Sequence, residues 1–254
     1  MADVTFNRII KHAHQGDLFL PVIQSYIANQ NFPSFTVKCE APTDRPPDGW
    51  FHPSTHPLWG ERQLYYYLTQ PEELIPNRLD PLGVLAVTSG NFWHSFFEPI
   101  LLKAGLITHS EFSVVDEEAG SRGHMDGIND DEGLEIKTMN ERKMGKIPEG
   151  PASSKEVQQA WRALVPEYAA QADSYMLMSG RKRQRFIVVG TAYPFPMREI
   201  ALDYDEQSAV AVREKYLRVR QAVADQRLPA PCCNPGSVAA KQCPARNICP
   251  VGRM

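Results

Sequence analysis

The stretch GSRGHMDGINDDEGLEIKTMN, residues 120–140, reads as a β-hairpin, with strand-like segments at 122–128 and 134–139 joined by the polar turn NDDEG. The first segment carries Asp126, the second Glu135 and Lys137. In an alternating strand Glu135 and Lys137 share one face while Ile136 takes the other, and Asp126 can meet them across the hairpin. Charged side chains inside an apolar sheet are costly unless they pair or hold a metal. Two carboxylates converging at a strand end make an oxygen-rich site suited to Mg²⁺ or Mn²⁺. A lysine beside them can stabilise charge on a phosphate. From spacing alone, however, an exposed Asp and a Glu–Lys pair on a wet hairpin face is the better reading, because such triplets are common. The surroundings shift that balance.

Upstream, SGNFWHSFFEPILLKAG has a helical pattern, with Ser89 as its expected cap and Gly105 at its end. His94 and Glu98 project from the same face of it. The segment 112–118 reads as a further strand. Downstream, SSKEVQQAWRALV opens on a capping-box pattern, Ser153 and Glu156. Pro166 then starts a fresh helix ending near Gly180. RFIVVGTAYP reads as a buried strand, and 205–227 is amphipathic at helical spacing, through Ala209, Val212, Tyr216, Val219 and Val223. The order, helix, three strands, helix, strand, helix, predicts a mixed α/β core. Three parts are expected: an N-terminal helical and loop region at 1–80, a core at 81–204, and a C-terminal helix with a cysteine cluster at 205–254.

The chain has 254 residues, 43% hydrophobic and 22% charged, as for an ordinary soluble globular protein. No apolar run approaches a membrane span and the start is broken by charge, so a cytoplasmic protein is expected. A net charge of −3 does not advertise nucleic-acid binding, nor does it exclude it. RKRQR at 181–185 is a candidate basic patch, equally readable as a solvated turn. Tyr65, Tyr66 and Tyr67 read first as packing residues, with base stacking as the second possibility.

GHMDGI followed by EIK resembles the core of the PD-(D/E)XK nucleases, and more narrowly their RecB-like branch, which includes the RecB and AddB nuclease domains and the CRISPR-associated RecB-like exonucleases. His94 matches that branch's upstream histidine, and Gln171 and Tyr175, in QADSY, match its helix motif. The segment HPSTHPLWGERQLYYYL resembles the stretch before the histidine helix. The resemblance implies a restriction-endonuclease-like α/β fold, with a mixed central sheet flanked by helices. It implies metal ligation by His94, Asp126, Glu135 and the Ile136 carbonyl, with Asp126, Glu135 and Lys137 catalytic. Gln171 and Tyr175 would lie near the substrate.

Cys39 stands apart, whereas Cys232, Cys233, Cys243 and Cys249 crowd the tail. A cytosolic cysteine cluster more often means metal than disulfides. On spacing alone zinc is the safer choice; the resemblance implies a 4Fe-4S cluster instead. The expected ligands are Cys39, Cys233, Cys243 and Cys249, because the position where relatives carry an upstream cysteine reads Trp59 here. A tail supplying all four, with Cys232, is the alternative.

The function implied is metal-dependent DNA exonuclease activity at strand ends, in recombination, repair or phage or CRISPR DNA processing. The partners implied are single-stranded or free-ended DNA, a helicase or recombination protein, and further copies of the chain. An endonuclease with the same core, or a non-catalytic DNA-end-binding component, are the alternatives. No Walker-type loop occurs, so unwinding would fall to another protein.

Overall fold

In the computed structural model the described residues are 16–30, 33–37, 47–76 and 80–252. Along the chain they form α1 (Leu20–Ala28), α2 (Glu61–Thr69), a single 3-10 turn (Pro71–Glu73) and α3 (Pro81–Lys103). Then come β1 (His109–Asp116), β2 (Ser121–Ile128), β3 (Gly133–Met139), α4 (Glu141–Met144), α5 (Lys155–Leu164) and α6 (Pro166–Ser179). β4 (Arg183–Gly190), β5 (Met197–Asp203), α7 (Glu206–Ala224) and α8 (Val238–Gln242) complete it.

The five strands form one mixed sheet in the order β1-β2-β3-β4-β5. Only the β3–β4 pair is parallel, and α4, α5 and α6 make the crossover that a parallel pair requires. β4 is buried along almost its whole length, which is why its apolar run is continuous rather than alternating. One face, with Leu134, Ile136, Ile187 and Val189, packs under α1 and α3 through Ile23, Trp93, Phe97 and Leu101. The other, with Met139, Phe186, Val188 and Leu202, is covered by α5 and α6 through Trp161, Ala169 and Met176. Ile136 therefore belongs to one core while Glu135 and Lys137 face the α6 side, as the alternation predicted. α2 and α7 make a third apolar contact, in which Phe51 stacks on Tyr216 at 4.4 Å between ring centroids.

Three local expectations are corrected. The histidine helix starts at Pro81 rather than Ser89, because Asp80 accepts a hydrogen bond from the Gly83 N–H at 2.7 Å and Pro81 supplies the first helical φ. Pro99 sits within this one helix. The cap of α5 is Ser154, which accepts from the Val157 N–H, one residue later than expected. The pattern also missed β5, because its first half carries Arg198 and Glu199. Both are buried, and Glu199 accepts hydrogen bonds from the backbone N–H groups of Leu18, Phe19 and Leu20 and pairs with Arg185 at 2.5 Å. The charge that hid the strand is what fastens α1 to the sheet. Among the described residues no helix is long and apolar enough to cross a membrane.

Candidate active site

The β2–β3 hairpin is paired only next to its turn, at Ile128↔Gly133 and Gly127↔Leu134. Beyond that the two strands fork. The Ile136 N–H, which a longer ladder would give to a backbone carbonyl, donates instead to Asp126 Oδ2 at 2.6 Å. The aspartate is thus built into the split, and the fork opens toward the carboxyl end of β3.

Side chains from three directions meet there. From α3, His94 Nδ1 lies 3.3 Å from Asp126 Oδ1 and 3.7 Å from Glu98 Oε1. On β3, Lys137 Nζ lies 2.7 Å from Glu135 Oε2. From α6, Gln171 Nε2 donates to the same Glu135 oxygen at 3.2 Å, and Tyr168 places its ring 5.1 Å from Lys137 Nζ. Tyr175, one turn after Gln171 on α6, is 1% exposed and packs against Gly123 of β2. Neither residue of the helix motif is exposed: Gln171 holds the glutamate, and Tyr175 closes α6 against β2.

The electrostatics follow from this crowding. Burial opposes charge on His94, but the Asp126 carboxylate raises its pKa to about 10. Burial would raise Asp126, yet His94, Lys137 and the Ile136 N–H hold it below the usual carboxylate range. Burial pushes Glu135 up to about 7, with Lys137 opposing and Asp126 adding to the rise. Lys137 is raised against its burial by both carboxylates. Glu135 Oε1 is buried with no hydrogen-bond partner. A buried carboxylate oxygen left open beside a second carboxylate is what a divalent cation satisfies, so the donors fit a hard cation. Among the described residues no three His, Cys, Asp or Glu side chains are gathered into a ready ion-binding group. As placed, Asp126 is turned to His94 and Glu135 to Lys137.

Glu111 escaped the sequence reading. The register pairs Ser110 with Gly127 and Phe112 with Met125, which leaves Glu111 opposite Asp126. Its φ is +50°, uncommon for a residue with a side chain. Burial raises its carboxyl, and Asp126 and Glu98 raise it further. Only the register and the left-handed backbone reveal it, and neither can be read from one glutamate in a strand. His124 is exposed on β2, near enough to oppose that rise.

The basic run 181–185 is largely occupied. Arg181 donates to the Asn129 carbonyl, Lys182 lies over the Tyr204 ring, Arg183 pairs with Asp203, and Arg185 is buried between Glu132 and Glu199. It serves the sheet rather than an open patch. Tyr66 and Tyr67 are buried, in line with the packing reading, and half-buried Tyr65 packs in part against the same apolar clusters.

Cys232, Cys233, Cys243 and Cys249 are free thiols that line one cavity together with Arg62 and Tyr66. A Cβ on Gly60 would fall 2.7 Å from Cys232 Sγ, so Cys232 lies directly against the residue after Trp59. Burial raises the Cys233 and Cys243 thiols, and the neighbouring cysteines raise them further. Cys39 lies outside the described residues.

No family model and no curated protein matches the sequence. Solved structures do resemble the fold. LHK-Exo in complex with dAMP is 14% identical, with 71% of this chain and 90% of that chain covered at a TM-score of 0.50. The alkaline exonuclease LHK-Exo from Laribacter hongkongensis gives 14%, 70%, 89% and 0.49 for the same quantities, and SSO0001 gives 14%, 94%, 98% and 0.46. The chain has a restriction-endonuclease-like α/β fold, a mixed five-stranded sheet flanked by helices, shared with LHK-Exo.

Proposed function

We propose that this chain is a metal-dependent deoxyribonuclease of the PD-(D/E)XK type, RecB-like, that hydrolyses phosphodiester bonds at strand ends. The observation that carries this is the forked hairpin. It holds Asp126 on the Ile136 N–H and sets Glu135, with one open buried oxygen, against Lys137. A solvated hairpin face has no reason to bury these charges at the mouth of a split. The fold shared with LHK-Exo, whose structure holds dAMP, supports a site that takes a deoxynucleotide.

His94, Asp126, Glu135 and the Ile136 carbonyl are the groups that would hold Mg²⁺ or Mn²⁺. Such an ion polarises a phosphoryl oxygen and makes water a stronger nucleophile at neutral pH. The chain's own residues prepare that chemistry. Gln171 fixes the Glu135 rotamer from the helix that Tyr175 packs against β2. Lys137 keeps its proton, offering a fixed positive charge to a phosphate as negative charge builds on it. His94 steadies Asp126 from α3.

The tail thiols form the second part of the proposal. Cys232 fills the space beside Gly60, next to Trp59, which stands where relatives carry an upstream cysteine, so Cys232, Cys233, Cys243 and Cys249 are the favoured set for a 4Fe-4S cluster or Zn²⁺. It would fasten the tail to α2, where Tyr66 packs with Ala245 and Val251.

Nucleotide release from linear DNA in Mg²⁺ or Mn²⁺ tests the nuclease. The expected result is release by the wild type, none in EDTA and none from Asp126→Ala. DNA binding without cleavage by the wild type would refute it in favour of an end-binding role.

A further inference from the structure

We infer that the rim at the carboxyl end of the parallel β3–β4 pair is a platform for an unpaired DNA strand, with Tyr193 and Phe195 stacking bases and Arg142, Lys143 and Lys146 tracking the backbone. The inference rests on the nuclease reading for its choice of ligand.

Both strands of the pair release their chain at the same edge. The Thr191 N–H donates to the Met139 carbonyl at 3.1 Å, which ties the loop after β4 to the end of β3. Met139 is two residues beyond Lys137, or about 7 Å at ~3.3 Å per residue. The fork opens toward this same edge, so a strand leaving the site passes over the rim.

The loop after β4 presents more aromatic surface than its packing covers. Tyr193 is 75% exposed and Phe195 39%. They stand edge to face at 6.3 Å, Phe195 meets Trp93 of α3 at 5.6 Å, and Trp93 meets Phe92 at 5.1 Å. Trp93 precedes His94 in α3, so this row of rings is anchored on the helix that carries the site's histidine. The loop is held rather than loose: Phe195 N–H donates to the Ala192 carbonyl and Gly190 N–H to the Pro196 carbonyl, both at 2.7 Å. Phe195 takes a φ of +56°, a conformation a bulky residue adopts only where its surroundings impose it. Exposed rings on a fixed turn are preorganised for stacking, to which every base presents a π-face.

Charge completes the match. Arg142 and Lys146 are exposed and Lys143 half-buried in the segment that follows β3, and none of the three pairs with a carboxylate among the described residues. Asn140 and the buried Met144 and Ile147 anchor that segment. Cations without acidic partners on the same strand-end edge as exposed aromatics suit a polyanion with unstacked bases, whereas a duplex hides its base faces.

The test is fluorescence anisotropy of a labelled 20-nucleotide single strand and a blunt duplex of equal length, in EDTA and over a range of salt, using the full chain. Tyr193→Ala should weaken single-strand binding about tenfold to a hundredfold and leave duplex binding unchanged. Arg142→Ala with Lys146→Ala should lower the salt slope for the single strand by about 1.4. Unchanged single-strand affinity in Tyr193→Ala, or an equal loss for both DNAs, overturns the inference. So does a change of oligomeric state with DNA binding intact, which would give the rim to a second copy. The nuclease reading fails separately: a wild type that binds as expected but cuts no DNA in Mg²⁺ keeps the platform and loses the enzyme. A wild type that cuts, with Tyr193→Ala binding normally, does the reverse.

Discussion

Replacing Gly123 by alanine places a methyl group where the Tyr175 ring already stands. The new Cβ would lie 2.6 Å from both the ring carbon Cε1 and the hydroxyl oxygen, about 1 Å inside the ~3.5–4.0 Å optimum for such contacts. Tyr175 is 1% exposed and cannot swing into water, so strand or helix must give. Overpacking of this kind costs about 1–3 kcal/mol, or a fall in Tm of roughly 2–12 °C for a chain of this size. Denaturant unfolding of Gly123→Ala, Tyr175→Ala and the double variant measures the coupling directly. With the ring gone the added methyl should be neutral or slightly stabilising, so the cycle should return a coupling of about 1–3 kcal/mol. Because Tyr175 sets α6 against β2, and Gln171 of the same helix holds Glu135, nuclease activity should fall by more than the loss of folded protein explains. A coupling below about 0.5 kcal/mol would refute the reasoning that β2 and α6 are locked together behind the site.

Lys137→Met should reduce cleavage about a hundredfold or more. The fold should persist, because Glu135, already raised by burial, takes up a proton when its partner is lost; a variant that cuts normally would remove Lys137 from the chemistry. Cys243→Ala should lose bound metal and Tm together, read by elemental analysis and thermal melting; wild-type values for both would show that the tail thiols hold nothing. Lys215, whose ammonium donates to the Pro57 carbonyl, is held down to about 8 by burial. Between about pH 8 and 10.5 the unfolded chain keeps a proton that the folded chain releases, so this residue makes stability rise with pH there, and below pH 8 its cost is constant. Lys215→Gln should flatten that rise; an unchanged pH profile would count against it.

Much of the fold was legible because periodicity reports burial. β4 read as a continuous apolar run, and α7 showed Ala209, Val212, Tyr216, Val219 and Val223 at helical spacing, the first four buried and Val223 half-buried. The hairpin was legible from alternation and its polar turn. What the sequence hid depends on contacts between distant segments. β5 looked unlike a strand because Glu199 serves the backbone of α1, some 180 residues away in the chain. The α3 start was lost because its apolar first turns stay largely exposed, Leu85 at 65%, so they lack a buried stripe. At the site, Asp126, Glu135 and Lys137 could be named from spacing and resemblance, and the structure brings them together. The fork that gives Asp126 the Ile136 N–H, the position of Glu111 opposite Asp126, and the open oxygen of Glu135 are products of register. The cysteines were visible as a cluster, yet only folding shows Cys232 against Gly60.

The most direct measurement is digestion of end-labelled linear DNA, single- and double-stranded, in Mg²⁺ or Mn²⁺, with wild type beside Glu135→Ala. Metal-dependent loss of label in the wild type, absent from a folded Glu135→Ala protein, is the result expected if the forked hairpin is a nuclease centre working from strand ends. Equal cleavage by both proteins, or none by either on any DNA, would contradict it.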